Sequence, residues 1–194
     1  MPSSKTRAAA VAVSLFALAS AAKGTVQCHP SPAIPVPATT AGVYVNLVTG
    51  VNATTPAGAP NWDFNPWGSS SINFWLNNSA DPAGNPDGNV AASAGGTLLV
   101  LSSGATIDAT SFYSTETPNA TAMAPWRTTQ TGKYLGVRFY NETTASTNYG
   151  WIQIDTVSPT TGLPATIQSW CYQDDGTGIT AGTSPVELET FTVE

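Results

Sequence analysis

The sequence predicts an all-β chain, an antiparallel β-sandwich or jelly roll, on three observations. Of 194 residues, 41% are hydrophobic and only 9% charged, which is ample for a core and argues against disorder. The apolar residues alternate, or come in short runs between clusters of Gly, Pro, Asn and Asp, the period expected of half-buried strands. From Gly42 onward no stretch carries a helical period with caps. The length sets an expectation of one domain.

Residues 1–21 read as a signal peptide. Lys5 and Arg7 precede an uncharged run, Ala8–Ala22, and Ala19-Ser20-Ala21 matches the A-x-A cleavage pattern. The run is too short and too rich in Ala for a membrane span, which needs about 20 apolar residues. Cleavage is expected after Ala21, with Ala22-Lys23-Gly24 as a second site. Gln27 is too large for the residue before a lipidated cysteine, so Cys28 is not expected to carry a lipid. No later stretch is long and apolar enough to span a bilayer. The mature chain is therefore expected to be secreted and soluble, outside the cytoplasm.

Residues 22–42 form a Pro-rich lead, within which 29–42 hold four prolines that block regular helix. It reads as a spacer or an edge segment. Residues 43–194 are the expected sandwich domain. Val43–Val48 alternates, with Val43, Val45 and Leu47 on one face. Ser71–Leu76 is a second strand, and Thr97–Leu101 an apolar run expected to be buried on both faces. Lys133–Tyr140 sets Leu135, Val137 and Phe139 against Tyr134, Gly136, Arg138 and Tyr140. Asn148–Thr156 sets Ile152 and Ile154 against Tyr149, Trp151, Gln153 and Asp155. Ala165–Tyr172 and Pro185–Val193 complete the set. Asp87-Gly88, Ser103-Gly104, Thr161-Gly162 and Asp174-Asp175-Gly176 supply turns.

Composition excludes several functions. Without residues 1–21 the chain keeps four cations (Lys23, Arg127, Lys133 and Arg138) against 12 acids, a net charge of −8. Such a chain repels phosphate backbones, so no nucleic-acid partner is expected. The single histidine, His29, excludes sites that need two, and no G-x-S-x-G elbow accompanies it. It reads as a surface residue remote from the rest of the domain. Glu187 and Glu189 share a strand face, but no glycosidase signature surrounds them. Glu116 and Glu142 lie in segments that read as loops. Asp81, Asn85, Asp87 and Asn89 in DPAGNPDGN offer oxygen ligands, yet lack a closing Glu. A plain turn is expected there, with no metal and no cofactor.

Two features remain. Exactly two cysteines lie beyond the signal, so Cys28–Cys171 is the one intramolecular disulfide available in an oxidising compartment. It would pin a lead too Pro-rich to pair fully in a sheet. Trp62, Trp67 and Trp75 fall close together, and exposed aromatic faces stack on the CH faces of sugar rings.

The segments Tyr134-Leu135-Gly136-Val137-Arg138-Phe139, Tyr149-Gly150-Trp151-Ile152, Ile167-Gln168-Ser169-Trp170-Cys171-Tyr172 and Gly178-Ile179 with Ala181-Gly182 form a pattern. It resembles that of a broad group of secreted bacterial proteins of the PEP-CTERM-associated type, over residues 133–182. The resemblance implies a non-enzymatic protein. The chain departs from the group in lacking the sorting tail and in carrying Cys171 where a small residue is usual. Gly136 and Gly150 would let neighbouring rings lie across the strands, and Asp155 is the expected partner of Arg138.

The leading expectation is a secreted, non-catalytic extracellular or envelope protein of structural or binding type. The alternative is a carbohydrate-binding module using Trp62, Trp67 and Trp75, with an extracellular glycan as partner. A glycoside-active enzyme stands third, because no acid pair has a signature.

Overall fold

The computed structural model describes residues 24–77, 89–91, 96–111, 113–114 and 119–185. The strands are β1 (Val26–Val36), β2 (Tyr44–Val45), β3 (Asn52–Ala53), β4 (Phe64–Trp67), β5 (Asn73–Leu76), β6 (Asn89–Ala91), β7 (Thr106–Ile107), β8 (Tyr113–Ser114), β9 (Gln130–Asn141), β10 (Ser146–Thr156), β11 (Ala165–Gln173) and β12 (Ile179–Thr180). A six-stranded sheet runs β1-β11-β10-β9-β6-β8, and a four-stranded sheet runs β3-β2-β4-β5. β12 and β7 form a two-stranded ribbon. Every strand pair is antiparallel.

The two larger sheets share one core, as a sandwich requires. Leu135, Val137 and Phe139 of β9, Ile152 and Ile154 of β10, and Ile167, Trp170 and Tyr172 of β11 point to it from the large sheet. Val45, Phe64, Phe74 and Leu76 meet them from the small one, with Met123 and Trp126 filling the end. The alternation read in the sequence for β9 and β10 is the alternation observed. The opposite face of the large sheet packs Tyr149, Trp151 and Cys171 against Ile107 and Ile179 of the ribbon and Ala181 just after it. Gly136 stands directly opposite Trp151, and Gly150 opposite Tyr172. A Cβ on Gly150 would come within 2.8 Å of the Cys171 carbonyl oxygen and 3.0 Å of the Tyr172 Cβ, so β11 leaves no room there for a side chain.

Within the Pro-rich lead, Val26–Val36 forms an edge strand of the large sheet, the second of the two roles expected for it. Val26–Pro30 pair with Ser169–Gln173, and Ile34–Val36 with Ala165–Ile167, with a register shift between Pro30 and Ile34. An edge position tolerates residues without an N–H, because one side of the strand needs no partner. The shift absorbs the part of the segment that does not pair. Ile34 and Val36 are buried in the core.

Other expectations are modified by local hydrogen bonds. The strand expected over Val43–Val48 stops at Val45 because the Asn46 Oδ1 accepts from the N–H groups of Val48 and Thr49 and turns the chain. Val43, Val45 and Leu47 are nonetheless all buried. Ser71–Leu76 begins as a strand only at Asn73, since the Ile72 N–H goes to the Thr161 carbonyl. Thr97–Leu101 is not a strand. Leu98 donates to Ala122, and Leu101 makes one isolated bridge with Tyr134. The run therefore crosses its neighbours at points, and Leu98 alone is fully buried. The strand expected at 185–193 lies outside the described residues beyond Pro185, as does the signal sequence.

Arg138 and Asp155 are not partners. Arg138 sits opposite Tyr149 in the register, six residues along β10 from Asp155, roughly 20 Å at strand rise. The Asp155 carboxylate instead accepts from the Gly132 N–H at 2.8 Å and the Gln168 amide at 2.8 Å.

Candidate functional site

The tryptophans singled out in the sequence gather on the outer face of the small sheet. The pairing of β4 with β5 sets Phe64 opposite Leu76, Asn65 opposite Trp75, Pro66 opposite Phe74 and Trp67 opposite Asn73. Phe64, Phe74 and Leu76 fill the core, so the alternation directs Asn65, Trp67, Asn73 and Trp75 outward. Trp75 is 42% exposed. Trp62 is 8% exposed and lies beneath it, edge-on, with ring centroids 5.2 Å apart and 71° between planes. Trp62 meets Tyr44 in the same way at 5.0 Å and 77°. Together with Ala59, these rings form a small satellite core. Trp67 is half-buried, and Gly42 (φ +64°) passes so close that a Cβ there would lie 2.5 Å from the Trp67 Cβ.

The three residues therefore differ in role. Trp75 presents a ring to solvent. Trp62 meets it edge-on from the buried side. Trp67 stands across from Asn73, one step along the same face. The polar side chains here are engaged. Asn65 donates to the Ala41 carbonyl at 2.9 Å and Asn73 to the Ser71 carbonyl at 3.1 Å. Arg127 donates to the Asn73 Oδ1 at 2.6 Å and to the Ile72 carbonyl at 3.2 Å. Asn77 fastens the Trp62 carbonyl at 2.8 Å.

A second polar centre was not legible in the sequence. Asn46, buried, has its amide nitrogen within hydrogen-bond reach of three acceptors, the carbonyls of Pro60 and Asn61 and, at 2.7 Å, Glu142, which its two N–H groups share. Buried Asp63 accepts from the Leu47 N–H at 2.7 Å. Nearby, burial pushes the Tyr172 phenol above its ordinary pKa, and the carboxylates of Asp174, Glu142 and Asp63 add to the shift. These acids hold turns together. Glu142 is thus tied to a neighbouring amide, and Glu116, Glu187 and Glu189 lie outside the described residues. No signal would have marked Asn46 or Asp63, since they are far from Glu142 in sequence.

The cysteines are joined. Cys28 and Cys171 face each other in register across β1 and β11, with Cα atoms 4.1 Å apart, closing a separation of 143 residues. His29, next in the chain, is not a remote surface residue. Its ring stacks on Trp170 and its Nε2 lies 3.1 Å from the Val48 carbonyl. The Asp174-Asp175 turn clamps the start of β1. Asp174 accepts from the Thr25 N–H and the Gln27 amide, and Asp175 from the Gly24 N–H. The Thr177 hydroxyl and N–H hold the Asp175 carboxyl below the ordinary carboxylate range.

Among the described residues, no three His, Cys, Asp or Glu side chains converge as metal ligands. Asp81, Asn85 and Asp87 lie outside those residues. The backbone of Asn89 pairs with Arg138 in the large sheet. No helix among the described residues is long and apolar enough to cross a membrane. Comparison with family models, curated proteins and solved structures returned no match.

Proposed function

We propose that the chain is a non-catalytic extracellular module that binds carbohydrate on the outer face of its small sheet, with Trp75 as the contacting ring. The observation that carries this reading is the pairing of Trp75, 42% exposed, with Trp62, 8% exposed and edge-on beneath it. An exposed indole that costs solvation and is held rigid by a buried one is a binding surface prepared in advance. The engagement of Asp63 and Glu142 in turn-forming bonds supports the non-catalytic part. A disulfide between an edge strand and its neighbour supports an oxidising, extracellular setting. The resemblance of residues 133–182 to secreted bacterial proteins supports it too.

A glycan array read with the wild-type protein and with Trp75→Ala tests the proposal. Binding that falls by about tenfold or more in the variant, with its melting temperature kept, is the expected result. Failure of the wild-type protein to bind any glycan, or binding that Trp75→Ala leaves intact, overturns it.

A further inference from the structure

We infer that the Trp75 face takes neutral polysaccharide and is held by stacking, so that it selects on the charge of the chain and little on the configuration of its hydroxyls. This rests on the carbohydrate reading above and names its ligand class.

The polar groups around the ring lead to this conclusion. A site that reads hydroxyl positions needs unpaired donors and acceptors to meet them. Here Asn65 is buried and bonded to Ala41. Asn73 uses its amide on Ser71 and its oxygen on Arg127. The most exposed group on this face is the indole of Trp75, and a ring face recognises the CH patch that every pyranose carries.

Charge supplies the selection. The chain carries 12 acids against 6 cations, a field that disfavours a polyanion. Arg127 is the cation beside the face, and two of its donors are committed to Ile72 and Asn73. It keeps three further N–H groups, a single positive charge set against the chain's excess of acids. A uronate chain approaching Trp75 would meet net repulsion that a neutral chain of the same shape would not.

Matched polymers test this directly. Hydroxyethylcellulose and carboxymethylcellulose share a backbone and differ in charge; xylan, laminarin and galactan vary the neutral sugar; alginate is a second polyanion. Binding is measured by affinity electrophoresis and calorimetry at about 10 mM and 500 mM salt, where the screening length falls from about 30 Å to a few Å. The neutral polymers are expected to bind within about tenfold of one another with little salt dependence. The anionic ones are expected to bind at least about tenfold more weakly at low salt and to recover at high salt. Trp75→Phe is expected to retain most binding and Trp75→Ala to lose it, both with wild-type circular dichroism. Equal or tighter Trp75-dependent binding of carboxymethylcellulose or alginate at low salt overturns the inference and leaves the carbohydrate reading standing. Recognition of one neutral sugar alone, by more than about a hundredfold, overturns the stacking part. Binding that does not depend on Trp75, or none at all, overturns the carbohydrate reading and this inference with it.

Discussion

His29 lies flat on Trp170, with ring centroids 4.9 Å apart and 23° between planes. The two residues are paired across β1 and β11, one position along from the Cys28–Cys171 bond. Successive residues of a strand point to opposite faces. The disulfide therefore ties β1 down on the ribbon side of the large sheet, and the stacked rings tie it down on the core side. The indole N–H of Trp170 continues inward to the Leu47 carbonyl at 2.9 Å. Edge strand, large sheet and the turn after β2 are joined through this one pair.

Removing the disulfide with Cys28→Ser and Cys171→Ser together is expected to destabilise the fold by about 2–3 kcal/mol. Loop-closure entropy alone gives about 4–5 kcal/mol for a closure of this length. The lower figure applies because β1 keeps its stack, its buried Ile34 and Val36, and the Asp174–Asp175 clamp. Urea denaturation of the double variant against wild type measures it, and a loss above about 5 kcal/mol would show that β1 has no other effective anchor.

His29→Ala is expected to cost about 1–2 kcal/mol, from a lost ring contact and a lost hydrogen bond to the Val48 carbonyl. His29→Gln, which keeps a donor without the ring, should fall between. Denaturant midpoints for the two variants separate these contributions. A neutral result for His29→Ala would return His29 to the role of a surface residue.

Tyr172 predicts a loss of stability in alkali. Burial raises its phenol pKa above the ordinary value, with help from Asp174, Glu142 and Asp63. The folded state then holds the proton more tightly than the unfolded state. That contribution is complete below about pH 10, the unfolded value, and is lost as pH rises through the folded one. Stability of the wild-type protein should fall more steeply above pH 10 than that of Tyr172→Phe. Parallel slopes in denaturation curves taken from pH 9 to 11.5 would contradict this.

The two edge-on indoles, Trp62 and Trp75, should separate stability from binding. Trp62→Ala removes a buried ring and is expected to cost about 3 kcal/mol. Trp75→Ala removes a ring left 42% exposed and is expected to change stability by about 1 kcal/mol or less. Thermal melts of the two variants report the difference. Equal losses would place Trp75 in the satellite core and remove it from the binding surface.

Much of the large sheet was written in the sequence. Lys133–Tyr140 and Asn148–Thr156 alternate strictly, and a period of two fixes which side chains share a face before any partner strand is known. The disulfide was legible by count, since two cysteines allow one bridge. Short strands were not legible in the same way. β2 has two residues because Asn46 offers its own oxygen to the backbone, and Thr97–Leu101 spends its hydrogen bonds on single partners. Those are contests between local and distant bonds, which composition does not rank.

The aromatic face shows the same division. The sequence determined that three tryptophans lie close together around β4 and β5, and that an even separation along a strand returns a side chain to the same face. It did not determine that Trp62 is covered and Trp75 is not, because that depends on Tyr44 and Ala59 arriving from other segments to close over one ring. Nor did it locate His29, whose neighbour Trp170 stands 141 positions away in the chain and beside it in the sheet. Periodicity is a property of a segment and can be read from it. Burial is a property of what packs against the segment, and only the tertiary structure decides that.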